Sequence, residues 1–277
     1  MDEEKIKSLE KEAHRLRNLV FDNCFSTKTG HIASAFSCTD ILTTLYYGGI
    51  LKHDPKNPKW EERDRFILSK GHASPILYNI LGDKGFFPKE WLSTSCQIDG
   101  KMGVHLQGNI PGVEATTGSL GHGLGIGIGM ALAAKIDIKP YFTFVLIGDG
   151  ESYEGSIWES IMFAGKSNLN NLVAIVDRNG IGASDFTENG IGLEPLADKW
   201  ESFGWRVKIV DGHSFKELLN AFEDIRSLRE NKPLVIIAKT VKGKGIPCIE
   251  NNPDWHGRLP DSNNVNMLKD ELIKCQK

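Results

Sequence analysis

The sequence has 277 residues, 40% of them hydrophobic and 25% charged, with a formal net charge of −3 at pH 7. That length supports one large or two small domains around a sizeable core, and so small a net charge gives no electrostatic reason to expect nucleic acid or membrane partners. Five cysteines without Cys-x-x-Cys spacing point to reduced, structural thiols and no zinc site, while a charged N-terminus with no apolar leader and no run approaching membrane-spanning length fit a cytoplasmic protein.

In chain order, Ile6, Leu9, Ala13, Leu16, Leu19 and Val20 recur at helical spacing and predict an amphipathic helix over about 3–25. The stretch Thr29 to Ser34 is small and polar and reads as a loop; His31 within it, taken alone, reads as incidental. Thr39-Asp40 opens a second helix reaching about Tyr47. A polar, proline-punctuated loop over 55–60 precedes a short strand, Phe66-Ile67-Leu68. Lys70-Gly71-His72-Ala73-Ser74 then hands over to a helix ending near Leu81. Strand-to-helix turns hold functional side chains on a rigid base, which singles out His72.

Residues 99–112 are glycine-rich and irregular and contain His105. The glycines from Gly118 to Gly129 do not satisfy G-x-G-x-x-G, and no strand precedes them. Gly165-Lys166-Ser167 has Ser160 where a P-loop needs its first glycine. Both nucleotide-binding readings therefore fail. What remains is a loop feeding a glycine-rich helix, intrinsically poor, for which close packing or ligand approach must compensate.

Tyr141 to Ile147 is an unbroken apolar run that stops at Gly148-Asp149-Gly150. A helix over about 154–168 follows, and Leu172 to Val176 ends in Asp177-Arg178-Asn179-Gly180. Two such runs around a helix predict a βαβ unit of parallel, doubly covered strands. A right-handed crossover brings Asp149 and Asn179 to one sheet edge, where ligands gather. A carboxylate and an amide oxygen beside glycines suit a hard cation such as magnesium that keeps diphosphate oxygens as further ligands. Trp205–Val210 is a further strand, Ser214 caps a helix running to about Arg229, and Leu234–Ala238 is the last strand, followed by a basic loop from Lys239 to Gly245. The pattern is α/β: a single domain over 1–277, a parallel β-sheet flanked by helices on both faces, with no internal repeat.

Gly148-Asp149-Gly150, Glu154-Gly155 and Asn179 together resemble the diphosphate-and-metal motif of thiamine diphosphate enzymes in its transketolase form. The stretch R-D-R-F-I-L-S-K-G-H-A (63–73) and the stretch G-V-E-A-T-T-G-S-L-G-H-G (112–123) resemble the corresponding transketolase segments. The resemblance implies metal ligation (Mg2+, or Ca2+ or Mn2+) by Asp149, Asn179 and the carbonyl of Ile181. It implies cofactor contacts from His72, Gly118, Ser119, Leu120, Gly148, Asp149, Gly150, Glu154, Asn179 and Ile181. It further implies that His31, His72, His105 and His256 handle donor hydroxyls and proton transfers, and that Glu154 and Glu159 meet carboxylates across a subunit interface. The cofactor would supply the carbanion chemistry that moves a two-carbon ketol unit from a ketose (phosphate) to an aldose (phosphate).

The sequence also departs from that family. Gly30-His31-Ile32-Ala33 stands where Gly-His-Pro-Gly is usual, His105 lacks the following proline, and His122 replaces a glutamine. Only the diphosphate-binding third of a full-length transketolase is represented, and the domain gripping the aminopyrimidine has no room. The chain thus resembles the N-terminal subunit of a split transketolase, completed by a separate pyrimidine-domain chain; a homodimer alone and a heterotetramer with the partner are expected. The competing readings are another thiamine diphosphate enzyme (a deoxyxylulose-phosphate synthase-like protein or a 2-oxoacid dehydrogenase component) and a non-catalytic diphosphate-binding scaffold.

Overall fold

Five short apolar runs pair into one all-parallel sheet in the computed structural model, which describes residues 3–223, 225–226 and 230–275. The strands are β1 (Arg65–Leu68), β2 (Thr143–Gly148), β3 (Leu172–Arg178), β4 (Arg206–Asp211) and β5 (Leu234–Lys239), in the spatial order β1-β2-β3-β5-β4. Side chains alternate across a strand, so a sheet covered on both faces needs apolar residues at every position. Phe144, Leu146, Val173, Ile175, Leu234 and Ile236 join one core, whereas Val145, Ile147, Ala174, Val176, Val235 and Ile237 join the other.

The first core is covered by α1 (Glu3–Thr27), α2 (Ile32–Ser37), α3 (Thr39–Tyr47), α4 (Ser74–Lys84), α8 (Phe215–Glu223) and α9 (Val265–Lys274); the second by α5 (Gly123–Ile136), α6 (Gly155–Lys166) and α7 (Leu196–Ser202). The step from β3 through α7 to β4 moves outward, and α8 on the opposite face returns the chain to β5, which slots in beside β3. The carboxyl ends of β2, β3 and β5 are level, with Gly148 opposite Asp177 and Arg178 opposite Lys239.

Three expectations change. Residues 32–34 are not loop: they begin α2, every residue of which is buried. Small side chains let this helix lie in the interior, and small polar residues are what made it look like a loop. The helices α7 and α9 have no counterpart among the predicted elements. The Ser214 hydroxyl does accept the Glu217 N–H at 3.3 Å, as a cap should, but the expected helix end near Arg229 lies outside the described residues. All five cysteines are free thiols; Cys24 and Cys38 are buried, while Cys96, Cys248 and Cys275 are exposed, so a structural role fits only the first two. Among the described residues, no helix is long and apolar enough to cross a membrane.

Candidate active site

A cavity of about 320 Å³ opens where the carboxyl ends of β1, β2, β3 and β5 meet the N-terminal part of α2. Its wall contains His72, Leu120, Gly148, Asp149, Gly150, Asn179, Ile181 and His256 from the predicted set, and also Ser34, Lys70, Glu151, Tyr153 and Lys242. The four histidines converge from four separate segments. The His31 ring centroid lies 5.5 Å from those of His72 and His256 and 6.2 Å from that of His105, and His72 and His256 are 5.3 Å apart. His105 is held there by Gly118: a Cβ on Gly118 (φ +135°) would sit 2.8 Å from the His105 Cγ, so both the backbone angle and the space demand glycine. Glu154 and Glu159 do not line the cavity; both are exposed, as is Ser119.

A buried ion pair underlies the site. Lys70, from the turn after β1, binds Asp177 at the end of β3, and neither is open to solvent. Asp177 also accepts hydrogen bonds from Ser37 at 2.6 Å and from Thr240. Burial opposes both charges, but each overcomes it for the other: the Asp177 carboxyl is held below its ordinary range and the Lys70 ammonium above. A buried pair with further hydrogen bonds on the carboxylate fixes geometry, and removing one partner typically costs about 3–5 kcal/mol. The pair locks α2 and the ends of β1, β3 and β5 together. Glu151 ties a second set. Its carboxylate accepts Gly148 N–H at 3.1 Å, Gly121 N–H at 2.9 Å and the Ser69 hydroxyl, while Ser69 accepts Gly123 N–H at 3.1 Å. The loop entering α5 is thereby pinned to the β2 turn.

Asp149 is 1% exposed and accepts Gly150 N–H at 2.8 Å, Gly180 N–H at 2.6 Å and an Arg178 nitrogen at 3.1 Å. Burial first, and then the charge of Asp177, raise its pKa despite these donors. A cation close by would relieve both effects. Asn179 leans its amide nitrogen toward Asp177 at 3.4 Å and accepts Ile181 N–H at 3.1 Å, and the Ile181 carbonyl faces the Lys242 ammonium at 3.2 Å. Among the described residues, no group of three His, Cys, Asp or Glu side chains is placed to hold a metal. The available set is instead one carboxylate, one amide and one carbonyl. All are oxygen donors with lone pairs to spare, and they suit a hard cation whose other ligands come from a bound anion.

The anion side of the cavity also fits. Lys242 is buried, and burial together with the Lys70 charge pushes its pKa down to about 8. Its ammonium lies 2.7 Å from the Gly182 carbonyl and 2.8 Å from His256 Nδ1. A Cβ on Gly150 would sit 3.2 Å from Gly182 Cα, so the two glycines leave the floor open at backbone level. The buried Ser34 hydroxyl and His31 Nδ1 have no hydrogen-bond partner, which is costly unless a ligand supplies one. Burial and the nearby cations lower the pKa of His31, that of His72 well below its usual value, and that of His256 to about 4. All three rings are neutral near pH 7 and can each donate and accept a hydrogen bond. Of the unanticipated wall residues, Lys70 and Glu151 stand within the same strand-end turns as His72 and Asp149, and Lys242 lies in the basic loop; their positions were visible, their burial was not. Ser34 carried no such signal.

Comparisons with known proteins agree with this geometry. The family described as "Transketolase, thiamine diphosphate binding domain" matches residues 8–273. One of the two subunits of the apulose-4-phosphate transketolase of Phocaeicola vulgatus is 40% identical over 255 residues, 92% of this chain and 90% of that protein. The 6-deoxy-6-sulfo-D-fructose transketolase subunit SqwG of a Clostridium species is 41% identical over 251 residues, 90% of each. The crystal structure of transketolase from Campylobacter jejuni superposes with a TM-score of 0.86 at 31% identity, covering 98% of this chain but 43% of that one. The chain therefore spans less than half the length of the full-length transketolase it matches.

Proposed function

This chain belongs to the transketolase family, and from that premise we propose that it is the diphosphate-binding chain of a two-chain cytoplasmic transketolase, completed by a separate subunit that carries the pyrimidine-binding domain. The reaction is transfer of a two-carbon ketol unit from a ketose donor to an aldose acceptor, phosphorylated or otherwise modified. The observation that carries this reading is the cavity itself, in which cation-ready oxygens, a buried ammonium and clustered neutral histidines surround a hydroxyl and a ring nitrogen that lack partners.

Asp149 and Asn179, with the Ile181 carbonyl, would hold Mg2+ (or Ca2+ or Mn2+) against the diphosphate, and Lys242 and Ser34 would face the remaining phosphate oxygens. Gly118, Ser119, Leu120, Gly148 and Gly150 leave backbone-level access for the cofactor. Thiamine diphosphate, once bound, supplies the nucleophilic carbon that accepts the two-carbon unit. His31, His72, His105 and His256, three of them with lowered pKa values, orient sugar hydroxyls and hold or release protons without a standing charge. Glu154 and Glu159, exposed around the start of α6, are available to carboxylates on a neighbouring chain.

The test is a ketol-transfer assay on the purified chain mixed with its partner, thiamine diphosphate, Mg2+ and a ketose donor. Transfer should need both chains, and Asp149→Ala should abolish metal-dependent cofactor binding measured by calorimetry. Full turnover by this chain alone, or unchanged cofactor affinity in the Asp149 variant, would overturn the proposal.

A further inference from the structure

His213 lies outside the cavity, in the turn between β4 and α8, yet its ring reaches the segment that carries Lys242. Its Nδ1 is 2.6 Å from Asp40 Oδ2 on α3, and its Nε2 is 2.8 Å from the backbone nitrogen of Val241. A backbone N–H can only donate, so Nε2 is the acceptor and the ring proton sits on Nδ1, facing Asp40. Asp40 is gripped in turn by two Arg17 nitrogens at 2.8 and 2.7 Å. Burial would raise the Asp40 pKa, but Arg17 and the His213 hydrogen bond overcome it and hold the carboxyl at about 2. A histidine paired with a carboxylate often serves as a general base. Here the nitrogen that would take the proton is occupied by an amide, so the pair serves geometry.

The beneficiary is the segment after β5. Thr240 donates its hydroxyl to Asp177, Val241 N–H is held by His213, and Gly243 N–H donates to the Ala33 carbonyl at 3.0 Å. Asn251 N–H donates to the Lys242 carbonyl at 3.0 Å. Of these four anchors, the one on Val241 adjoins Lys242 and comes from the β4–α8 turn. We propose that His213 is a positioning residue: Arg17, Asp40 and His213 form a relay across α1, α3 and the β4–α8 turn that fixes the backbone at Val241 and so places the Lys242 ammonium in the cavity. The consequence for cofactor affinity rests on the function proposed above; the tautomer and the placement of Lys242 do not.

Two measurements on the full chain test the relay directly. Long-range 1H–15N correlation of 15N-histidine-labelled protein at neutral pH should show His213 as the Nδ1–H tautomer, and an Nε2–H or doubly protonated ring overturns the proposal. Lys242, 1% exposed, should resist an amine-modifying reagent mapped by mass spectrometry in the wild type and become several-fold more reactive in His213→Phe. His213→Gln, which retains one donor and one acceptor, should restore most of the protection; equal reactivity in all three proteins overturns it. In the assembly with the partner, His213→Phe should bind thiamine diphosphate roughly tenfold more weakly, the effect expected from leaving one buried N–H unpaired, with kcat at saturating cofactor nearly kept. A fall in kcat with unchanged cofactor affinity counts against positioning. Should the wild-type assembly bind no thiamine diphosphate, the function proposed above fails while the tautomer and Lys242 results still decide the relay.

Discussion

At the scale of single residues, the histidine cluster is a statement about charge. A proton on His72 would enter a buried space already holding Lys70, His256 and Lys242, and burial is the largest of these penalties. The unfolded chain has no such penalty and takes up protons near pH 6.5. As pH falls below that value the unfolded state binds more protons than the native state, so stability declines; above it the cluster contributes no pH dependence. We predict that the urea midpoint of the chain drops between pH 6.5 and 5, before most carboxylates titrate, and that His72→Gln flattens this slope. A midpoint level over that range in the wild type would refute the assignment of neutral, desolvated rings. The residues at issue were partly legible. His31, His72, His105 and His256 stand beside glycines or in glycine-rich loops, and Asp149 and Asn179 sit where apolar runs stop. Ser34, Lys70, Glu151 and Lys242 belong to residue types that are ordinarily solvated, and only the folded chain buries them against one another.

At the scale of elements, α5 explains its own composition. Gly123 and Gly127, one helical turn apart, face inward: a Cβ on Gly127 would collide with Val145 on β2, and one on Gly123 with Ser69. Gly129, on the other side, has open space around it. The glycines are therefore of two kinds, and alanine should separate them. Gly129→Ala should stabilise the isolated chain by about 1 kcal/mol through helix propensity. Gly127→Ala should destabilise it, because overpacking against the sheet, typically about 1–3 kcal/mol, outweighs the same gain. Chemical denaturation of both variants checks this, and shifts of the same sign would contradict the packing. The strands and long helices were readable from periodicity and from the glycines and polar residues that end them. The helix α2 was not, since a helix buried on all sides has no polar face to give it a period. The short α7 and α9 depend on single contacts, Trp200 against Trp205 and Leu268 and Leu272 against the first core, which no local pattern announces.

At the scale of the whole molecule, the sheet order could not be read from the chain, because the insertion of β5 between β3 and β4 is decided by which face α7 and α8 cover. That order nonetheless sets what is left exposed. The helices α5 and α6 cover one face of the sheet and turn Ile126, Met162 and Phe163 outward, with Met162 54% and Phe163 50% exposed. Large apolar side chains grouped near a site that covers only part of a full-length relative mark a docking face for the missing part. A charge there should be harmless to the chain and harmful to the assembly. We predict that Met162→Asp changes the stability of the isolated chain by no more than about 0.5 kcal/mol, as exposed substitutions usually do. The same variant should need at least about tenfold more partner to reach half-maximal ketol transfer, the effect of burying one unpaired carboxylate at an interface. Sedimentation of the mixed chains reads the association, and an activity titration against partner concentration reads its consequence. If Met162→Asp assembles and turns over as the wild type does, the pyrimidine-domain partner does not dock on α6, and the apolar face must be covered by something else.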